Sequence, residues 1–433
     1  MRGKAHLKQQ LATYVRPNAS TLPYRVDVLQ YVDEARRSGR PVILATASDE
    51  RLAEDVAAHL GCFSGVLASD GVTNLSGTRK RDALVARFGV SGFDYIGNSR
   101  ADLSGWSAAN AALLVDPSRS LLREAQCRAP VEHVFTRQRR WGSPLVAALR
   151  VYQWTKNALV FVPLVLAHQV LDLTRVRAAA VTFLVFSLIA SAVYVANDLL
   201  DLESDRMHPR KRRRPFAAGD LSIPAGAVLC VGLALTAFVI AGDWLPARAV
   251  VCLAAYSVLA TAYSLWLKRL VVTDVIVLAG LYVLRVIAGA VAVSVPLSHW
   301  LLGFSMFFFL SLALMKRHAE LTALERSGRS EAAGRGYRST DREWLGSMGT
   351  CGGYLSVLVL ALYITNRDVE ALYHWPAVLW PICPAVLYWI MRMWARVYRG
   401  LLDDDPLLAS LRDPVSYALG ALVAMLVFLA ARL

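Results

Sequence analysis

Two hydrophobic patterns divide the chain. Up to about residue 125, short apolar runs alternate with amphipathic stretches; from about residue 149, long apolar runs are separated by short polar loops. In the first part, 27–37 has helical spacing, and Pro41-Val-Ile-Leu-Ala-Thr-Ala-Ser48 is a short apolar strand ending in hydroxyls. Helices over 50–60 and 80–88 then alternate with strands over 65–69, 93–97 and 111–116. That alternation predicts a soluble α/β domain, 1–125, with a mostly parallel, Rossmann-like sheet and any site at the carboxyl ends of its strands. Residues 126–148 are polar and basic, with Arg137, Arg139 and Arg140, and read as a linker. In 149–433 about nine runs are long enough to cross a bilayer: 153–170, 178–200, 223–241, 247–266, 274–294, 299–316, 345–366, 376–394 and 414–431. Trp154, Trp300, Trp344, Trp375 and Trp394 stand near their ends, where amphipathic rings favour the interface. The fold class expected is a multi-span all-α membrane protein with an N-terminal soluble α/β domain.

Composition agrees: 56% of the 433 residues are hydrophobic, more than a soluble chain carries. The net charge of +14 would suit nucleic acid or an anionic membrane surface, and its placement decides between them. Most of it beyond Trp141 lies in the loops after the second, fourth, sixth and eighth runs, including Arg206, Arg210 to Arg214, Lys268, Arg269, Arg329 and Arg396. The loops of opposite parity carry only Arg175, Arg177, Arg248 and Arg367. This asymmetry predicts that the basic loops and the α/β domain are cytoplasmic and the C-terminus is outside, in an inner-membrane protein. The α/β domain has no basic face with interleaved aromatics, which argues against nucleic acid. The six cysteines form no metal or redox spacing, and the first residues have no apolar core of a cleavable signal.

The richest chemistry is in Asn197-Asp-Leu-Leu-Asp-Leu-Glu-Ser-Asp205, at the end of the second long run. On a continuing helix Asp198, Asp201 and Asp205 share one face, with Asn197 a turn before Asp201. Carboxylates so stacked repel unless a cation lies between them, and hard oxygen ligands suit a partly hydrated Mg²⁺ completed by phosphate oxygens. Lys211, Arg212 and Arg214, in the basic run that follows, supply charge for more phosphates. The plainer reading is a solvated acidic helix end with a positive anchor. A second cluster on the same side comprises Tyr263, Lys268 and Asp274, with Arg285 deeper in an apolar run. A cation there marks a buried anion site or a structural pair with a membrane carboxylate. Lys156-Asn157 adds donors, Arg317 a further cation, and Lys316 and Glu320 stand one helical turn apart as a site pair or a simple helix salt bridge. Two carboxylate clusters and many cations at one membrane face predict departure of a diphosphate, with attack at a carbocation-like carbon.

Two resemblances follow from these residues. Thr46, Ser48, Lys80 and Gly97-Asn-Ser-Arg-Ala-Asp102 resemble the later motifs of the haloacid-dehalogenase (HAD) phosphatases, which implies a phosphoryl-holding hydroxyl and lysine and an Mg²⁺ ligand at Asp102. Asn98 stands where that family often has an acid, and no Asp-x-Asp-Gly-Thr segment with its nucleophile precedes Thr46. Thr46, Ser48, Lys80, Asn98 and Asp102 are therefore expected to be remnants without phosphatase activity. A strand is expected to be missing beside 41–48; either the segment was lost or the natural start lies upstream.

The second half resembles the UbiA prenyltransferase superfamily through Asn197-Asp198-xx-Asp201-xxx-Asp205 and the Tyr263, Lys268, Asp274 segment. It is more similar to one branch, the decaprenyl-phosphate phosphoribosyltransferases of cell-wall arabinan precursor synthesis. The carrying residues are Gln153-Trp154-x-Lys156-Asn157, Ser191-Ala-Val-Tyr194, Lys211-Arg212-x-Arg214-Pro, Leu284-Arg285-x-Ile-Ala-Gly289, Pro296-Leu-Ser298-x-Trp300 and Lys316-Arg317-x-Ala-Glu320. That resemblance implies a Mg-dependent transfer of phosphoribose from phosphoribosyl pyrophosphate to a polyprenyl phosphate. Asp274 lacks the second aspartate usual in the superfamily's second motif, which shifts the metal towards the first. The alternatives are an aromatic prenyltransferase that consumes a polyprenyl diphosphate, and a transporter, disfavoured because no matching cluster lies on the opposite side. Homo-oligomerisation stays open.

Overall fold

Five short parallel strands and the helices between them build the first of two units in the protein, Met1–Ser143 together with Asp201–Asp220. The structure, a computed structural model, describes residues 4–136, 144–208, 210–326, 335–366, 369, 373–402 and 405–432. The linker residues Arg137, Arg139 and Arg140, and the loop residues Arg329 and Arg367, lie outside them. In its N-terminal piece the helices are α1 (Lys4–Tyr14), α2 (Val26–Arg37), α3 (Glu50–Leu60), α4 (Thr78–Phe88), α5 (Leu103–Trp106) and α6 (Arg119–Gln126). Its strands are β1 (Ile43–Asp49), β2 (Gly65–Ser69), β3 (Tyr95–Gly97), β4 (Ala112–Val115) and β5 (Val131–Phe135). Local chemistry sets the boundaries: the Asp49 carboxylate accepts the Arg51 N–H to open α3, and Gly61 at φ 61° closes it.

All pairings are parallel, as strand–helix alternation demands. β1 pairs with β2, and β3, β4 and β5 form a separate sheet. β5 falls inside the expected 126–148 linker, so the α/β fold continues beyond residue 125. With Glu132 and His133 at its centre, it has too little apolar signal to stand out. An apolar cavity of about 410 Å³ lies between β1 and β3, lined by Ile43, Leu44, Ala45, Tyr95 and Ile96. Among the described residues no strand fills it, and β1 keeps one unpaired edge. The core closes on Trp106, which is fully buried and donates to the Tyr95 carbonyl at 3.0 Å.

The second unit, Pro144–Leu200 with Leu221–Leu433, is all-α. It begins with α7 (Pro144–Leu149), a 3-10 helix Val151–Phe161, α8 (Val162–Leu166) and the long α9 (Leu173–Leu200). The short α10 (Leu202–Met207) that follows belongs to the first unit. Then come α11 (Ile223–Trp244), α12 (Ala247–Leu265), α13 (Thr273–Ala292), α14 (His299–Arg326), α15 (Arg342–Ile364), α16 (Ile382–Tyr398), α17 (Pro406–Ser410) and α18 (Pro414–Arg432). Among the described residues eight helices are long and apolar enough to cross a membrane. The expected first span, 153–170, is not one of them, and this corrects the count of about nine long helices. Its polar stretch Gln153 to Asn157 makes side-chain bonds to neighbouring helices, and Pro163 removes a backbone donor. Eleven 3-10 residues and five α-helical ones still extend about 30 Å, the hydrocarbon thickness of a bilayer.

Small and hydroxyl residues let this segment pack tightly. Asn157 donates to Ser187 Oγ at 3.0 Å and Trp154 to Ser191 Oγ at 3.0 Å, both on α9. Gly289 of α13 lies against the backbone of Val160, where a Cβ would overlap the carbonyl. Trp394, expected at the membrane interface, is instead a core residue: it donates to Ser311 Oγ at 3.1 Å and packs against His318.

Candidate active site

The acid motif begins on α9 and does not stay on one helix. Asn197 donates to Ser264 Oγ of α12 at 2.9 Å, which fixes the amide at the helix end. Asp198 is 2% exposed and ion-paired with Arg150 at 2.5 Å. Arg150 has a left-handed backbone, φ 50°, between α7 and the 3-10 segment, and its guanidinium lies 5.0 Å over the Tyr194 ring. α9 ends at Leu200; Asp201 is a turn residue with ψ 14°, and α10 starts after it. The expected single helix face with three stacked carboxylates is thus interrupted. Asp is a poor interior helix residue, and like charges on successive turns repel.

In the first unit, Asp201 accepts the backbone N–H of Asp205 at 2.8 Å through its own carbonyl. Asp205 is 1% exposed; Arg214 donates to one carboxylate oxygen at 2.5 Å, while Lys211 lies 3.9 Å from the other. That second oxygen, Oδ1, is buried and makes no hydrogen bond. Arg212 is exposed on the one-turn helix Lys211–Arg213. Among the described residues no three His, Cys, Asp or Glu side chains converge as a ready-made metal cage. Within the first unit, the Asp205 oxygen that makes no hydrogen bond is a hard donor that suits a hydrated hard cation.

The second predicted cluster is a closed ionic network. Asp274, wholly buried at the start of α13, accepts from Arg317 at 2.8 Å and Arg335 at 3.1 Å. Arg317 also donates to Glu320 at 2.5 Å and to the Tyr263 hydroxyl at 2.8 Å, and Arg335 lies 3.7 Å from Glu320. Two acids therefore meet two arginines. Lys268 is half-buried on the one-turn helix Leu267–Arg269. The expected Lys316–Glu320 pair does not form, because the Arg317 fork, three residues away on α14, takes Glu320 instead.

Arg285 is 5% exposed and, among the described residues, bonded only to neutral groups, with no carboxylate partner. It donates to Asn157 Oδ1 at 2.7 Å, the Tyr256 hydroxyl at 2.7 Å and the Leu281 carbonyl, and stacks on Tyr256 and Tyr282. Lys156 and Lys316 converge on a single oxygen of Asp405, at 2.7 and 3.1 Å. The other oxygen of Asp405 caps α17 through the Leu407 N–H at 3.2 Å. Burial alone would raise the Asp405 carboxyl, but the two ammoniums outweigh it and hold it well below the usual carboxylate range. Neither Asp405 nor Arg150 was a sequence candidate. Asp405 ends an Asp-Asp-Asp-Pro run that reads as a charged turn, and a left-handed arginine leaves no sequence signal.

In the first unit Lys80 donates to the Tyr95 hydroxyl at 3.1 Å, and that hydroxyl donates to Asp102 at 2.9 Å. The second oxygen of Asp102 accepts from the Asn98 and Ser99 backbones and the Ser99 hydroxyl. Thr46 Oγ1 accepts the Ser48 N–H at 3.1 Å, and Asn98 is exposed. Lys8 of α1, which sequence reasoning passed over, donates to the carbonyl of Ala47 at the end of β1. Thr46, Lys80 and Asp102 thus satisfy their own loops.

A bundle of membrane-length helices with buried ionic clusters defines a membrane protein with a polar interior site. Residues 158–409 match the UbiA prenyltransferase family, and the chain belongs to that family. The protein y4nM of Sinorhizobium fredii is 37% identical over 98% of this chain and 82% of its own length. The decaprenyl-phosphate phosphoribosyltransferase of Mycolicibacterium smegmatis is 36% identical over 52% of this chain and 71% of its own. A UbiA homolog from Archaeoglobus fulgidus, solved with DMAPP and Mg²⁺, has the same fold: its TM-score is 0.51 at 13% identity, over 67% of this chain and 99% of that one.

Proposed function

We propose that the protein is a Mg-dependent membrane transferase that moves phosphoribose from phosphoribosyl pyrophosphate to a polyprenyl phosphate. The observation that carries this reading is the similarity to the M. smegmatis phosphoribosyltransferase, 36% identical over 52% of a chain of the UbiA family. In the reaction the bond from C1 of ribose to the diphosphate oxygen breaks, its electron pair leaves with the diphosphate, and an oxygen of the lipid phosphate bonds to C1. Mg²⁺, when bound, would neutralise the leaving diphosphate. By their spacing, Asp198, Asp201 and Asp205 would hold it, with Asn197 orienting the motif. Lys211, Arg212, Arg214 and Lys268 would bind phosphate oxygens, while Asp274, Tyr263, Arg317 and Glu320 keep the neighbouring helices in register.

The N-terminal unit is proposed as a HAD-like scaffold that performs no hydrolysis, since Asp102 and Lys80 are committed to Tyr95 and the Ser99 loop. The basic loops support a cytoplasmic position for it and for the transferase site.

The test is purified protein with labelled phosphoribosyl pyrophosphate and polyprenyl phosphate, followed by lipid extraction. Label in the lipid phase, abolished by EDTA and reduced about a hundred- to thousandfold by Asp198→Asn, is expected. The second reading, prenyl transfer from a polyprenyl diphosphate, follows the description of the matched family. It wins if the lipid stays unlabelled while prenyl diphosphate is consumed with an aromatic acceptor.

A further inference from the structure

Among the described residues, the charges of the all-α unit do not balance around Asp405. Around Asp274, two carboxylates meet two arginines and the network is neutral. Around Asp405, Lys156 and Lys316 share one carboxylate oxygen, leaving one positive charge over. Arg285 adds a second, because its three bonds end on an amide oxygen, a phenol and a carbonyl. The two groups adjoin: Lys156 and Asn157 are consecutive, and Asn157 accepts from Arg285. Tyr282, whose ring lies 5.5 Å from the Arg285 guanidinium, is also within electrostatic reach of Lys316 and Asp405.

A buried charge without a counter-charge is costly, and two together are more so. Each ammonium has three N–H donors and gives one to Asp405, so four remain for another acceptor. Lys156 and Lys316 are 10% and 29% exposed at the side chain, so the cluster is sheltered but not sealed. An excess of two positive charges with spare donors matches a dianion with several oxygens.

We propose that Lys156, Lys316 and Arg285 form the seat of a phosphomonoester dianion, and that Asp405 is the positioning residue that gathers the two lysines. Capping α17 with one oxygen anchors Asp405, so the other holds both ammoniums at a fixed separation instead of letting them repel apart. The seat takes either the headgroup of a lipid monophosphate or the phosphomonoester of a soluble sugar phosphate. This identity of ligands rests on the proposed transferase function; the seat itself rests on charge.

The test is binding to the full chain in detergent, by calorimetry, with two probes: polyprenyl phosphate and ribose 5-phosphate. Saturable binding of the first assigns the seat to the lipid acceptor, and of the second to the sugar donor. For whichever binds, Lys156→Gln, Lys316→Gln and Arg285→Gln should each raise Kd at least tenfold. Asp405→Asn, which keeps a capping oxygen, should raise it about fivefold, with recovery in Asp405→Glu. Arg342→Gln, on the exposed pair with Glu325, should leave it unchanged. Ligand-free melting of each variant separates loss of binding from loss of fold, and Lys316→Arg, which keeps the charge, replaces any variant that does not fold. If neither probe binds, or if binding survives the lysine substitutions, there is no such seat. Tighter binding in Asp405→Asn would show a competing anion and overturn its positioning role. Failure of phosphoribosyl transfer alongside intact lysine-dependent binding would reject the proposed reaction and leave the seat standing.

Discussion

Arg285 and Arg317 are both buried arginines in membrane helices, yet they answer different needs. Arg317 completes a neutral network, so Arg317→Ala leaves Asp274 and Glu320 facing only Arg335. Breaking such a pair costs about 3–5 kcal/mol, and we expect Arg317→Ala to lower the melting temperature and the yield of folded protein. Arg285→Ala removes a charge that no carboxylate among the described residues pairs with, so its melting temperature should hold while transfer is lost. A similar drop in melting temperature for the two variants would refute this division. Asp102 offers a test by pH. Burial raises its carboxyl, but bonds from Ser99, Tyr95 and Asn98, with Lys80 nearby, bring it below its ordinary value of 3.8. A lowered folded value stabilises the native state fully above the unfolded value and ceases to do so as pH falls through the folded one. Asp102→Asn should therefore speed hydrogen exchange in 95–106 at pH 7, and the gap from wild type should close as pH falls below 3.8 and through the lowered folded value. A gap that is independent of pH would contradict the assignment. Residue types at these positions were legible in the sequence as candidates, but their partners were not. Arg317 and Asp274 are 43 residues apart, and only the packed helices decide that Glu320 goes to Arg317 and Lys316 to Asp405.

The long helices are the elements that composition alone locates, because twenty apolar residues have few other places to go. Their ends are less legible. α14 continues ten residues beyond its expected end at 316, since polar side chains that look like a loop are satisfied inside the bundle. The parallel strands were likewise visible as short apolar runs, while β5 was hidden by its central Glu132 and His133. The 3-10 segment Val151–Phe161 was least legible, because its conformation is set by what it packs against. Long 3-10 runs are uncommon, so this one depends on tertiary contacts. Gly289 supplies one of them by letting α13 reach the Val160 backbone. Gly289→Val would force the two apart and destabilise the fold by about 1–3 kcal/mol, read as a lower melting temperature in detergent. Unchanged melting in that variant would mean that the close approach contributes nothing.

At the scale of the whole molecule, the composition of the first unit constrains membrane topology. That unit contains both Met1–Ser143 and Asp201–Asp220, and within it Gly219, at φ 74°, lies beside Pro23. Two pieces of one compact unit with no membrane-length helix among its described residues are expected on the same side of a membrane, so the chain between them would cross an even number of times. α9 is one crossing. The other has to come from 151–166, the irregular segment whose rise of about 30 Å matches the hydrocarbon core. By the positive-inside rule, the basic run Arg210 to Arg214 predicts a cytoplasmic position for this unit, with the loop around Gln169 to Asp172 on the opposite face. Cys127, exposed on the first unit, is a natural reporter. In a chain whose other cysteines are changed to serine, an impermeant maleimide should label Cys127 in inside-out vesicles and not in intact cells. A cysteine placed at Leu171, which is 87% exposed, should show the reverse pattern. Labelling of both positions from the same side would mean that 151–166 does not cross, and the two-crossing arrangement would have to be abandoned.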